Sequence, residues 1–462
     1  MADVADVADV AGIRLGGMSL RAPQHDDAVM LGVGRRRHIG DRRRARRWTV
    51  VGFTAAGAVV TAGVLGQLLR PLAPPVGDVQ AAAAYFDADL LARIEAYRAP
   101  LRIASVGAWA LRLAVPVLAA STPAGRRAVG RLVDRIGPRH PILAAAAVIV
   151  AVLVVADVVV LPIAYWAGFV HEGEWGFRTQ GLQGWARDWL VAHAPVWLAA
   201  AVLTSGGYAL ARRLPARWPL VAGLVAAALG AAVAAIAPVV LEPLQYRTRP
   251  LADGPVRTAV EQVLERAGED IDTIVVADAS RRTTKINAYV SGLGGSRRVV
   301  LWDTLVRGAP PEQMAMVFAH ELAHDRHGDV FRMVLLGGAG SVLAAFALAG
   351  VLRGASHRGW IHGPADARGA AIALAAVAVL TNLAAPIEMA ASRRAEAAAD
   401  QASLELTRDP SSFAQLHRSL VRSNLSDPDP PTWAILRWGS HPTPLQRLER
   451  GRLWAAAAEP LP

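Results

Sequence analysis

Seven stretches of this chain are apolar over a length that crosses a bilayer. They lie at residues 48–69, 103–121, 141–164, 189–211, 218–241, 331–352 and 369–391. A hydrocarbon core about 30 Å thick takes roughly 20 helical residues, and a helix bonds its own backbone where no water can. The composition agrees, since 53% of the 462 residues are hydrophobic, more than soluble chains usually carry. Trp48, Trp166, Trp189 and Trp218 fall near the ends of these runs, where amphipathic rings sit at the headgroups. The expected fold is an α-helical multi-pass membrane protein with seven transmembrane helices. The first run is too long, and begins too far into the chain, to be a cleaved signal peptide.

The formal charge of +11 does not point to nucleic acid. The arginines gather at the ends of the apolar runs, where they act as topology signals. Lys285 is the single lysine, and there is no cysteine, so disulfides and thiolate ligands are excluded and a metal must sit on His and carboxylate. Three runs carry a polar intruder: Arg112, Asp157 and His193. They either snorkel from misplaced run edges or face a polar interior, because a charge facing lipid at mid-depth is costly. Counted from the run ends, Arg112 and Asp157 lie at a similar depth of about 10–14 Å on neighbouring antiparallel runs, so the two can pair.

The organisation that follows has five parts. Residues 1–47 form a disordered tail, opening on an Ala-Asp-Val repeat and ending in arginines. Residues 48–241 form a five-helix membrane region; 242–330 carries His320 and His324 four apart with Glu321 between them, a metal-ligand spacing with a base, and is expected to form a small α+β zinc peptidase domain. Residues 331–391 form a transmembrane hairpin, and 392–462 a helical C-terminal part of the peptidase domain. Within 242–330, Val256, Val260, Val263 and Leu264 make a helical stripe. Short strands are expected at 273–277, 285–290 and 298–302, with a hairpin turn at Gly292-Leu293-Gly294-Gly295.

The chemistry concentrates in His320-Glu321-Leu322-Ala323-His324. Histidines four apart on a helix share a face, about 6 Å apart in rise, and converge on one ion. Zinc suits two neutral imidazoles and one carboxylate, with a position left for water. Glu321 is placed to take that water's proton as it attacks a carbonyl. Two crossings, 331–352 and 369–391, then return the chain to the side it left, where Glu396 and Asp400 stand four apart. Glu396 can ligate while Asp400 orients a histidine from behind. One zinc ion per chain is expected.

Together these residues resemble the CAAX prenyl protease 1 family of integral-membrane zinc metalloendopeptidases. Six stretches in the same order carry the resemblance: His171-Glu172-Gly173-Glu174-Trp175-Gly176-Phe177 with Thr179-Gln180 and Trp185; Glu242-Pro243-Leu244; Asn287-Ala288-Tyr289 with the glycine turn; the His320 motif; Ser392-Arg393 with Glu396 and Asp400; and Ser440-His441-Pro442. The resemblance implies zinc on His320, His324 and Glu396, with Glu321 as base and Arg393 and Asp400 behind the ligands. It implies that Asn287, Ala288 and Tyr289 lie on the edge strand that receives substrate, and that His441 helps stabilise the oxyanion. It also implies a chamber enclosed by the seven helices. Ala397 departs from the aromatic residue usual after the ligand glutamate.

The implied partners are the bilayer and a peptide or protein substrate, membrane-associated or lipidated, with no nucleic acid. Two rivals remain: a site-2-type intramembrane protease, and a non-enzymatic receptor or scaffold with a relic metal site. The first is opposed by Glu312, Gln313, Asp325, Arg326 and Asp329 flanking the motif, which set it at the membrane edge. The second is opposed by the intact ligand set and base. Orientation divides the signals. The tail and the loops after the second, fourth and sixth runs hold most arginines, including Arg126, Arg127, Arg131, Arg135 and Arg139. The catalytic side offers Arg70, Arg93, Arg98, Arg102, Arg178 and Arg187. The loop rule therefore expects an extracytoplasmic zinc site, whereas the resemblance implies a cytosolic one.

Overall fold

The computed structural model describes residues 50–240, 242–269, 273–292 and 298–458. The N-terminal tail and positions 293–295 of the glycine turn lie outside the described residues. The chain divides into two units between Val51 and Gly52. The second holds every described element apart from the first two residues of the first helix.

Seven helices among the described residues are long and apolar enough to cross a membrane. In chain order they are α1 (Val50–Leu68), α2 (Ala88–Ser121), α4 (Pro141–Tyr165), α5 (Leu182–Arg213), α6 (Trp218–Val240), α9 (Asp329–His357) and α10 (Ala370–Thr407). Between α2 and α4 lies α3 (Pro123–Ile136), opened by the Thr122 hydroxyl capping Gly125 N at 3.0 Å. Several helices overrun their apolar stretches. α2 starts fifteen residues before the expected run at 103, and α10 carries on past its apolar part to hold Glu396 and Asp400. Backbone hydrogen bonding continues beyond the bilayer wherever the sequence keeps helix formers and a partner to pack on.

Small residues let these helices approach closely. Ala144, Ala145, Ala349, Ala370 and Ala371 are buried in one cluster with Val148, Ile149 and Leu352. Where α6 meets α9, a Cβ on Gly223 would stand 2.8 Å from Val342 Cα, so only glycine permits the contact. Leu198, Val202, Val239, Leu383 and Ile387 on these helices stay exposed, apolar surface of the kind that helices in a bilayer carry. The three polar intruders meet in one cluster. Arg112 Nη2 stands 3.3 Å from Asp157 Oδ1, His193 Nε2 stands 3.7 Å from the same oxygen, and Trp197 Nε1 donates to Asp157 Oδ2 at 2.9 Å.

A four-stranded sheet and its helices sit between α6 and α9 in sequence. The strands are β1 (Thr248–Pro250), β2 (Ile274–Ala277), β3 (Ala288–Ser291) and β4 (Arg298–Trp302), in the order β1-β2-β4-β3. β2 and β4 run parallel and the outer pairs antiparallel, which sets β3 at an edge of the sheet among the described residues. β1 is three residues long and exposed throughout, and no alternation announces it. α7 (Pro255–Ala267) presents the Val260 and Val263 stripe to this sheet. α8 (Pro311–Arg326) buries Met314, Phe318 and Leu322 in the same core. α11 (Pro410–Asn424), α12 (Thr432–Trp438) and α13 (Pro444–Ala458) complete the C-terminal part.

Candidate metal centre

Each donor is placed by a helix with its own reason to be there. Pro311 opens α8 and Glu312 lies in its first, positive turn. Its apolar face locks onto the sheet, which turns His320, Glu321 and His324 toward the cavity. The helix ends at His327 and Gly328. Gly328 takes a left-handed φ of 62°, and α9 begins on the next residue. Side chains with a Cβ pay for that conformation; glycine does not.

α10 brings Glu396 in from the other side. His320 Nε2 lies 3.1 Å from His324 Nε2 and 3.3 Å from Glu396 Oε2, and His324 Nε2 lies 3.5 Å from Glu396 Oε1. His320, His324 and Glu396 form a group able to hold a metal ion, with ligand atoms within 4.8 Å of one another. Donors 2.0–2.1 Å from a tetrahedral zinc stand about 3.3 Å apart, and these separations straddle that value. Both rings also have the far nitrogen engaged. His320 Nδ1 is 3.0 Å from Asp400 Oδ1 and His324 Nδ1 is 2.8 Å from Asp329 Oδ2. A carboxylate at Nδ1 holds the proton there and leaves Nε2 as a lone-pair donor. The donor set fits a metal ion.

Asp329 and Arg447 are absent from the sequence reading as site residues. Arg447 Nη2 donates to Glu396 Oε2 at 2.8 Å, and its Nε lies 3.1 Å from Asp400 Oδ2. A trace of Asp329 was visible, as an acidic residue just past the motif. Arg447 left none, since a partner fifty-one residues away has no local signature.

Glu321 is buried beside the histidines. Burial pushes its carboxyl up from the usual range, against the pull of His320 and His324, while the Val290 main chain of β3 bonds it and pulls it down. The shared cavity, about 700 Å³, is lined by Glu321 and the three donors, by Asn287, Ala288 and Tyr289, and by His441. Ala288 and Tyr289 belong to β3. Asn287 precedes the strand by one residue, with its carbonyl accepting from Trp302 N at 3.0 Å. The segment before it is fixed at several points. Asn424 brackets Ile286 through both main-chain groups at 3.0 Å. Lys285 Nζ pairs with Glu172 at 2.7 Å and with the Tyr97 hydroxyl at 2.8 Å, although burial lowers the lysine's pKa.

His441 sits at the mouth, its side chain 56% exposed and its Nε2 3.2 Å from Glu396 Oε2. Arg393 does not reach the donors. It donates to the carbonyls of Ile435 at 2.9 Å and Gly439 at 2.6 Å, and so holds the turn that presents His441. α8 packs in the sheet core and is not among the membrane-spanning helices, unlike the buried motif of a site-2-type protease.

Comparison with known proteins gives the same answer from both halves of the chain. Residues 250–455 match the profile of peptidase family M48, and residues 112–247 match the CAAX prenyl protease N-terminal region of five membrane helices. The chain belongs to the CAAX prenyl protease 1 family. Proteins similar to it include the uncharacterized metalloprotease YhfN of Bacillus subtilis, 26% identical over 64% of this chain and 70% of that one. CAAX prenyl protease 1 of Saccharomyces cerevisiae is 29% identical over 38% of this chain and 39% of its own length. The sequence matches to this and the other CAAX prenyl protease 1 relatives thus span less than half of those proteins. The fold extends further: the crystal structure of S. mikatae Ste24p superposes with a TM-score of 0.68 at 19% identity, covering 86% of this chain and 96% of that one. As a CAAX prenyl protease 1 family member, the chain is a multi-pass membrane metalloprotease.

Proposed function

We propose that this protein is a zinc endopeptidase that cuts peptides at the membrane edge, with one zinc on His320, His324 and Glu396. The observation that carries the reading is the meeting of three donor side chains from α8 and α10 at 3.1–3.5 Å, with Glu321 lining the same cavity. Zinc there would lower the pKa of a water and polarise the scissile carbonyl.

The protein's own groups do the rest. The edge strand β3 pairs with an extended peptide through main-chain hydrogen bonds, with Asn287, Ala288 and Tyr289 beside it. Glu321 accepts the water's proton and passes it to the leaving amine. His441, at the mouth, donates to the oxyanion. Asp400 and Asp329 accept the Nδ1 protons of the two ligand histidines, Arg447 holds Asp400 and Glu396, and Arg393 steadies the His441 turn. The substrate is a peptide or protein at the bilayer, lipidated or not. The relatives' name, CAAX prenyl protease, favours the lipidated kind.

Glu321→Gln tests the assignment. About one zinc per chain should remain while peptide hydrolysis falls by several orders of magnitude. Zinc lost together with activity would show Glu321 to be a ligand and the reading wrong.

The arginine distribution favours an extracytoplasmic active site, against the cytosolic placement implied by the resemblance. A reporter after Pro462 separates the two. Alkaline phosphatase activity fits the first, and fluorescence from a cytoplasm-only reporter overturns it.

A further inference from the structure

We propose that Arg70, at the foot of α1, is a positioning residue for the metal ligand His324, so that the first membrane helix forms part of the metal centre. The inference rests on the reading of His324 as a ligand. It concerns a residue outside both matched regions, which begin at residue 112.

In the sequence Arg70 reads as one more loop arginine at the membrane surface. In the fold its side chain is only 1% exposed. Nη2 stands 3.2 Å from Asp329 Oδ1, whose other oxygen is 2.8 Å from His324 Nδ1. Nη1 donates to the carbonyl of Ala391, five residues before Glu396 on α10. One guanidinium therefore ties the carboxylate behind His324 to the helix that delivers Glu396.

Its position is secured by the end of α1. Arg332 Nη1 donates to Gly66 O at 2.6 Å and Gln67 Nε2 donates to Arg332 O at 3.0 Å. A Cβ on Gly63 would stand 2.6 Å from Leu335 O, so α1 and α9 touch backbone to backbone.

The chain His324–Asp329–Arg70 matches a second one, His320–Asp400–Arg447. Each imidazole has a carboxylate at Nδ1, and each carboxylate has an arginine behind it. The need is physical. Asp329 is 7% exposed, and a dry carboxylate without a counter-charge turns away toward water. That movement removes the acceptor that keeps Nε2 of His324 free. Lysine would supply the charge but not the fork that spans Asp329 and Ala391.

The test is zinc affinity, by competition with a chelator on the purified full chain in detergent, beside the thermal stability of the metal-free protein. Arg70→Ala should weaken zinc binding about 10–100-fold, and Arg70→Lys should recover part of it. Gln67→Ala, which loosens α1 without touching Asp329, should bind zinc as the wild type does. Wild-type affinity in Arg70→Ala overturns the proposal. So does an equal loss in Gln67→Ala, which would make helix docking the cause. If Arg70→Ala does not fold, Arg70→Lys decides: weaker zinc binding supports the role and unchanged binding ends it. A wild-type protein that binds no zinc would instead sink the reading of His324 as a ligand.

Discussion

The molecule contains two clusters built from the same ingredients. Around Glu396, histidine, arginine and carboxylate side chains meet at the end of α10. Around Asp157, the same three types meet inside the helix bundle. In the first cluster His320 and His324 each have Nδ1 on a carboxylate and Nε2 turned to Glu396. In the second, His193 Nδ1 stands 2.7 Å from Trp189 O of its own helix, and its Nε2 meets Arg112 at 3.4 Å. A single carboxylate, Asp157, serves all the partners there. The first arrangement aims its lone pairs at one common point, while the second turns them to protein donors. Composition alone does not separate a metal centre from a satisfied polar patch; the direction of the free nitrogen lone pair does.

That contrast breaks most visibly with one carboxylate removed from each cluster. Glu396→Ala should lose the metal and nearly all hydrolysis, because two histidines alone make an incomplete site. Asp157→Asn should keep the full zinc content. Zinc retained without Glu396, or lost without Asp157, would erase the distinction, and metal analysis of the purified variants reads it directly.

A smaller effect sharpens the account of the bundle cluster. Losing Arg112 or Asp157 alone should destabilise the protein more than losing both. Arg112 is half exposed, its side chain 49% accessible, so a coupling of only about 0.5–1 kcal/mol is expected in a double-mutant cycle. Additive losses in detergent unfolding midpoints would mean that the pair does not interact.

The spans were legible because bilayer thickness imposes a length that few soluble sequences imitate. Their ends were not, and the turns of α2 before residue 103 explain why. Asp89, Arg93, Glu95, Arg98 and Arg102 break the apolar run there without breaking the helix. The meeting of His320, His324 and Glu396 was legible through helical spacing and through parity, since two crossings return the chain to one side. The groups behind them were legible only in part. Asp400 shares the helix of Glu396 and shows in the spacing. Arg447 and Arg70 act across long stretches of chain, and arginine at a membrane edge reads first as a topology signal. Arg393 carries the opposite lesson, since nearness in sequence to Glu396 suggested a contact that it makes with the His441 turn instead.

The join at Gly328 bears on where such an enzyme can work. Only His327 and Gly328 separate the helix that carries His320 and His324 from the membrane helix that begins at Asp329. Two residues of linker give no leash, so on the proposed function His320 and His324 stand at a fixed altitude above the bilayer. A substrate of such a site would be measured from the membrane, as by a ruler, and a target bond held farther out would have to be lowered to it.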